Sequence, residues 1–214
     1  MNFRTVVAFA GLLLVAAATA ADESPAAGVS GTRMSERIEA LAQFGANPEG
    51  GVSRVAFSEA DIAGRSYIKS LMQEAGLAVR VDTAGNIVGR REGSEPGLPA
   101  IMFGSHIDSV PGGGNFDGDV GVIGAIEVAE VLAGNDVVTR HPLEIVSFTD
   151  EEGGLVGSLA MIGGLSESAL DSVSHSGLTI REGIRAVGGD PERLIEARRE
   201  RGELAAFIEL HIEQ

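Results

Sequence analysis

The sequence predicts an α/β domain: a layered sheet with helices on both faces. Three observations carry that prediction. Strand-like and helix-like segments alternate along the chain, the pattern of a layered sheet. Three apolar strands, "PAIMFGSHID", "PLEIVSFTDEE" and "LAAFIELHIEQ", each turn to acids and histidines at their C-terminal ends. A small, apolar helical segment, "GDVGVIGAIEVAEVLAG", joins the first two, as a helix packed on a sheet would.

Taken in order, residues 1–21 read as a secretory signal. Arg4 precedes an apolar run from Val6 to about Ala18, and Ala18-Thr19-Ala20 offers a small-x-small cleavage site. The run is shorter than the ~20 residues a spanning helix needs. The expected location is therefore outside the cytoplasm, in a periplasm, with no membrane attachment after cleavage. Residues 22–33 are small, polar and Pro/Gly-bearing and read as a linker. Residues 34–214 form the domain proper. "MSERIEALAQFG" has helical spacing, and "SEADIAGRSYIKSLMQEAGL" is a helix capped by Ser58 and ended by Gly76. "AVRVDTAGNIVGRREG" alternates and turns at Ala84-Gly85-Asn86, predicting a strand pair. The stretch from Ser166 to Gly202 is more polar, with a helical reading over "PERLIEARRERG".

Charge and composition narrow the function. A formal net charge of −15 argues against nucleic acid or an anionic membrane as partner. The chain has no Cys, so any metal must be held by His, Asp and Glu. Three consecutive acids, Asp150, Glu151 and Glu152, end a core strand, where like charges repel and resist burial. A solvated turn would explain them, and so would a cation. Open α/β sheets bind ligands at the carboxyl ends of their strands, so the three polar strand ends converge on one place.

In "GSHIDSVPGGGNFDGD", Asp108 lies two residues from His106 and so on the same side of an extended strand, within reach of its ring. The Gly-rich loop returns Asp117 to the start of the next helix, where anions are favoured. That loop lacks the Lys of a P-loop, and "DGD" lacks the spaced ligands of an EF-hand, which disfavours nucleotide and calcium readings. On an extended backbone Glu151 and Glu152 would point apart, one toward a metal and the other toward a reacting water. With His211 the set is a hard, mixed N/O one suited to Zn, Mn, Co or Ni. His141 and His175 receive no role.

"GSHIDSVPGGGNFDG", "FTDEEGG" and "ELHIEQ" together resemble the amidase, hydantoinase and carbamoylase family, which holds N-carbamoyl-L-amino acid hydrolases, allantoate amidohydrolases and β-ureidopropionases within the aminoacylase-like clan of two-metal exopeptidases. The resemblance runs from about Met34 to Gln214. It implies two divalent metal ions, zinc first, with manganese, cobalt or nickel as alternatives. His106 and His211 would hold one ion, Glu152 the other, and Asp117 would bridge them. Glu151 would be the general base, Asp108 the orienter of His106, and Gln214 a polar group on the substrate side. The implied reaction is hydrolysis of a small carbamoyl or ureido substrate, with an aminoacylase or dipeptidase of the same clan as the alternative. Family members continue past the "HIEQ" strand into a lid and dimerisation domain, then supply one more His ligand. The expectation is thus a catalytic domain read only in part, inactive by itself as a metal-binding fragment, whose full-length form is a homodimer. Leu159 departs from the basic residue common there in relatives.

Overall fold

A computed structural model describes residues 25–212; residues 1–21, expected from the sequence to be a signal, and Gln214 lie outside the described residues. A short 3-10 turn at Pro25–Gly28 leads into α1 (Gly31–Ala42), and α2 spans Glu59–Glu74. The strands are β1 (Ala78–Val81), β2 (Ile87–Arg91), β3 (Ala100–His106), β4 (Leu143–Phe148) and β5 (Leu204–Ile208). Between β3 and β4 runs α3 (Asp119–Gly134), and α4 (Glu151–Gly154), α5 (Val156–Met161) and α6 (Ile180–Ala186) follow β4. Among the described residues no helix is long and apolar enough to cross a membrane.

The sheet order is β1-β2-β4-β3-β5. Its two halves differ in direction. β3 pairs in parallel with both β4 and β5, whereas the β1–β2 hairpin joins β4 antiparallel. The three strands that end in acids and histidines therefore run the same way and end on the same side. That side is where the site must be.

Neighbouring strand residues point to opposite faces, and the core divides accordingly. Ile145 packs with Ile87 against Leu41 of α1, Met72 of α2 and Ile126 of α3. The next residue, Val146, packs with Val88, Met102 and Phe148 against Met161 of α5. Every residue of β4 is buried, including Glu144 within its apolar run. Arg90 Nη1 donates to Glu144 at 2.9 Å and Arg199 donates to its other oxygen, so the buried charge is paired.

Local signals set the ends of α2. Ser58 accepts a hydrogen bond from the Asp61 N–H, and Gly76 takes φ of +79° just past the C-terminus. Two readings are corrected. α1 begins at Gly31, capped by Ser30, so the last linker residues are helical. "PERLIEARRERG" forms only a 3-10 helix over Pro191–Ala197, interrupted at Arg193, and Arg198 is already extended. The break comes from the backbone at Arg193, φ −121° and ψ 25°, since a proline start and the i,i+3 pair of Arg193 with Glu196 are both compatible with a helix.

Candidate metal centre

β5 pairs with β3 up to Phe103 opposite Ile208. Three residues further along each chain stand His106 and His211, so the parallel register itself brings the two rings together. Where the backbone ladder ends, a side chain continues it: Ser105 Oγ donates to Glu209 Oε1 at 2.6 Å. Asp117 arrives from the Gly-rich loop at the N-terminus of α3. Gly118, at φ +67°, caps that helix with no side chain of its own. A Cβ there would sit 2.6 Å from the His106 ring, so only glycine lets the loop close on the imidazole.

The resulting group is tight. His106 Nε2, His211 Nε2 and a carboxylate oxygen of Asp117 all lie within 4.8 Å of one another. The Nε2 atoms are 3.3 Å apart, and Asp117 Oδ1 is 3.2 Å from His211 Nε2 and 3.8 Å from His106 Nε2. Each imidazole directs its Nδ1 at a main-chain carbonyl, Asp108 O at 3.0 Å for His106 and Ile212 O at 2.7 Å for His211. A carbonyl only accepts, so both protons sit on Nδ1 and both Nε2 lone pairs face the centre. Asp117 Oδ1 is buried and receives no hydrogen bond among the described residues. Two lone pairs and an orphaned carboxylate oxygen aimed at one point need an electrophile between them. The donor set fits a borderline divalent cation.

The acidic run is shaped differently from the extended strand the sequence suggests. Asp150 adopts the left-handed conformation, φ 50° and ψ 56°, and the chain turns at once into α4. Glu151 and Glu152 are thus the first residues of a helical turn. Their N–H groups donate to the two carboxylate oxygens of Asp108, at 3.2 and 3.1 Å. Asp108 therefore has two tasks. Its carbonyl orients His106, and its carboxylate, 3.7 Å from His106 Nδ1, holds the turn that carries the glutamates. Glu151 Oε2 lies 3.6 Å from His106 Nε2.

Electrostatics reflect the crowding of acids. Burial lowers the His106 imidazole, but Asp108, Glu151 and Asp117 outweigh it and the net shift is upward. Burial pushes Asp108 up to about 6, against the pull of His106. Asp150 also rises to about 6, through burial first and then Asp61 and Glu151. Burial raises Glu152 too, with Asp117 and Glu151 adding to it against His106. Carboxylates held this close resist ionisation unless a cation joins them.

Of the residues singled out from sequence, His106, Asp117 and His211 come together as one group, with Glu151 and Asp108 against it. Glu152 stands beside the group and is not one of its three members. Gln214 lies outside the described residues. His141 Nδ1 donates to the Pro99 carbonyl at 2.7 Å, remote from the centre. Ser105 and Glu209 were not legible as partners, although a lone serine in an apolar strand just before His106 is a usable signal. A cavity of about 490 Å³ adjoins Glu151, walled by Met102, Phe148, Met161, Leu204 and Phe207.

Residues 86–175 match the model of peptidase family M28, a window holding His106, Asp117 and both glutamates. The chain is 42% identical to the N-carbamoyl-L-amino acid amidohydrolase of Geobacillus stearothermophilus, over 87% of this chain and 47% of that protein. It is 37% identical to a ureidoglycolate hydrolase of Oryza sativa subsp. japonica, over 85% of this chain and 39% of the relative. A crystal structure of a hydantoinase/carbamoylase family amidase from Burkholderia ambifaria superposes with a TM-score of 0.79 at 34% identity, covering 87% of this chain and 46% of that one. The chain belongs to the hydantoinase/carbamoylase family. It spans about half the length of the curated relatives it matches. Within that family frame the segment seen here is the sheet and strand ends that gather His106, Asp117 and His211.

Proposed function

We propose that this chain carries the metal-binding and proton-transfer face of an amidohydrolase that cleaves a carbamoyl or ureido C–N bond. The substrate class is an N-carbamoyl amino acid or an allantoate-like ureide. The observation that carries the reading is the facing pair of His106 and His211 lone pairs beside the orphaned Asp117 oxygen, with Glu151 3.6 Å from His106. The amidohydrolase relatives support the choice of bond.

In this reading His106, Asp117 and His211 would hold one divalent cation, and Glu152 with Asp117 would help hold a second. Bound there, the cations supply Lewis acidity, which acidifies water and polarises a carbonyl. Glu151 accepts the proton of the attacking water and returns it to the leaving nitrogen. Asp108 keeps Glu151 and Glu152 in place through their N–H groups and holds the His106 tautomer through its carbonyl. For a carbamoyl substrate, R-NH-CO-NH2 and one water give the amine, ammonia and carbon dioxide. The alternative, an aminoacylase or dipeptidase, is favoured by one observation, the match to a peptidase family model. The apolar run and the Ala18-Thr19-Ala20 site support export of the mature protein, and the relatives' family supports a homodimer of the full-length form.

Elemental analysis of the purified protein, beside a His106→Ala control, tests the metal reading. About two equivalents of metal, reduced in the control, are expected. A panel of N-carbamoyl, ureido, N-acyl and dipeptide substrates tests the bond. Turnover confined to N-acyl or dipeptide substrates would overturn the carbamoyl reading. Metal without turnover of any substrate would point to a binding fragment.

A further inference from the structure

The buried guanidinium of Arg54 ties together the segments that present His106 and Asp117, and we infer that Arg54 is the positioning residue of the metal centre. This rests on the reading of those two residues as ligands. The side chain is 1% exposed and reaches three elements. Nε donates to the carbonyl of Ile107, the residue after His106, at 2.6 Å. Nη2 donates to both carboxylate oxygens of Asp119, two residues after Asp117, at 2.7 and 2.6 Å. Nη1 donates to the Leu41 and Phe44 carbonyls at the end of α1, at 2.8 and 3.3 Å. α2 makes room for it with Gly64, where a Cβ would lie 2.9 Å from Arg54 Cδ.

The backbone around Arg54 laces down the loop between the two ligands. The Arg54 N–H donates to Ser109 Oγ, and the Ser109 N–H donates back to the Arg54 carbonyl, both at 3.0 Å. Val52 N–H donates to the Gly113 carbonyl at 2.9 Å, and Ser53 Oγ accepts from the Gly112 N–H at 3.0 Å. A glycine-rich loop has many conformations to lose, and only a few of them bring Asp117 onto His106. Arg54 fixes both ends of that loop from one rigid, planar group with five donors. Lysine has the charge but not the fork, and it cannot reach three elements together.

The test is metal affinity measured apart from turnover, by competition of the purified protein with a chromophoric chelator for Zn2+. The visible absorption of bound Co2+ reports ligand geometry alongside it. Arg54→Lys is expected to weaken binding by roughly 10–100-fold, the range for groups that orient ligands, and to change the Co2+ spectrum. Glu127→Gln removes the charge of the buried Glu127 that pairs with half-exposed Arg33 across α1 and α3, without touching the loop, so it should lower the melting temperature and leave affinity unchanged. If Arg54→Lys fails to fold, the double variant Arg54→Met/Asp119→Leu removes both buried charges and should fold while still binding metal weakly. Parent-like affinity in a folded Arg54 variant would overturn the inference, as would an equal loss in Glu127→Gln. His106→Ala separates the two ideas. If it leaves metal binding intact, the ligand reading fails and this inference with it; if it abolishes binding while Arg54→Lys does not, only the positioning role of Arg54 fails.

Discussion

His106 and His211 point bare Nε2 atoms at each other across 3.3 Å, because each ring has its Nδ1 proton engaged by a main-chain carbonyl. Neither nitrogen can satisfy the other. A cation between or beside them would satisfy both lone pairs, and the unpartnered Asp117 Oδ1 lies within reach of the same point. The register of two parallel strands sets up this confrontation, with His211 carried three residues past the last paired residue of β5.

His211→Ala should therefore abolish tight metal binding while sparing the fold. Its side chain is 40% exposed and lies just past the end of β5, so little core packing is lost. Loss of a ligand should exceed the roughly 10–100-fold cost of losing an outer partner. Chelator competition on the variant, with circular dichroism as the folding check, reads both quantities. Parent-like metal content would remove His211 from the site.

The acids of the site were legible and the turn that places them was not. Apolar strands breaking into "SHID", "TDEE" and "ELHIE" announce a site at the carboxyl ends of a sheet, and the structure puts all three there. Alternation alone assumed that Glu151 and Glu152 continue an extended chain. The left-handed backbone at Asp150 and the capping of α4 by Asp108 depend on a contact across 43 residues of sequence, and no local pattern encodes it. Arg54 was invisible for a related reason. An arginine in "GVSR" reads as a surface charge until three separate elements converge on it.

Glu151→Gln separates binding from chemistry. Glutamine keeps the shape and the Asp108–Glu151 N–H contact but cannot take a proton. Metal content should match the parent, with turnover of the best substrate lower by roughly 10²–10⁴-fold. Unchanged turnover would show that another group accepts the proton.

Asp108 should act through geometry in a graded way. Asp108→Asn keeps one acceptor oxygen but sets an amide N–H2 against one of the two α4 N–H groups. Asp108→Ala removes the side-chain acceptor of both part-buried N–H groups, at up to about 1–3 kcal/mol each. Metal affinity and melting temperature should both fall in the order parent, Asn, Ala. An alanine variant that matches the parent in metal affinity would mean the α4 turn stands without Asp108.

Asp61, at the start of α2, gives a pH signature away from the ligands. Burial raises its carboxyl from 3.8 to about 6, against the opposing pull of Arg65. One oxygen accepts from the Phe57 N–H at 2.8 Å and the other has no partner among the described residues. With the folded value above the unfolded one, the native state holds the proton more tightly between these two pH values. Stability from this group is therefore highest below about pH 4 and declines as pH rises to about 6, then stays level. Asp61→Asn removes the titration, so its stability relative to the parent should climb from pH 4 to 6 and plateau above. Denaturant melts of both proteins across that range give the difference directly; a flat difference would show that Asp61 does not titrate in this window.

Gly118→Ala tests whether the loop must touch the ring. The residue sits at φ +67° and ψ −46°, outside the left-handed helical region, so an added side chain costs more than the roughly 1–2 kcal/mol of that region from backbone crowding. A Cβ would also lie 2.6 Å from three atoms of the His106 imidazole, which has 1% of its surface exposed and no room to retreat. The backbone cost alone would lower the melting temperature and leave metal affinity as it was. The ring clash predicts more: His106 rotates off its Asp108 carbonyl, the Nε2 lone pair leaves the centre, and metal affinity falls by at least roughly tenfold. Gly76→Ala is the comparison, because Gly76 also has a positive φ, +79°, and no atom within 4 Å of the added methyl, so it carries a backbone cost with no clash. Both variants should lose stability, and only Gly118→Ala should lose metal.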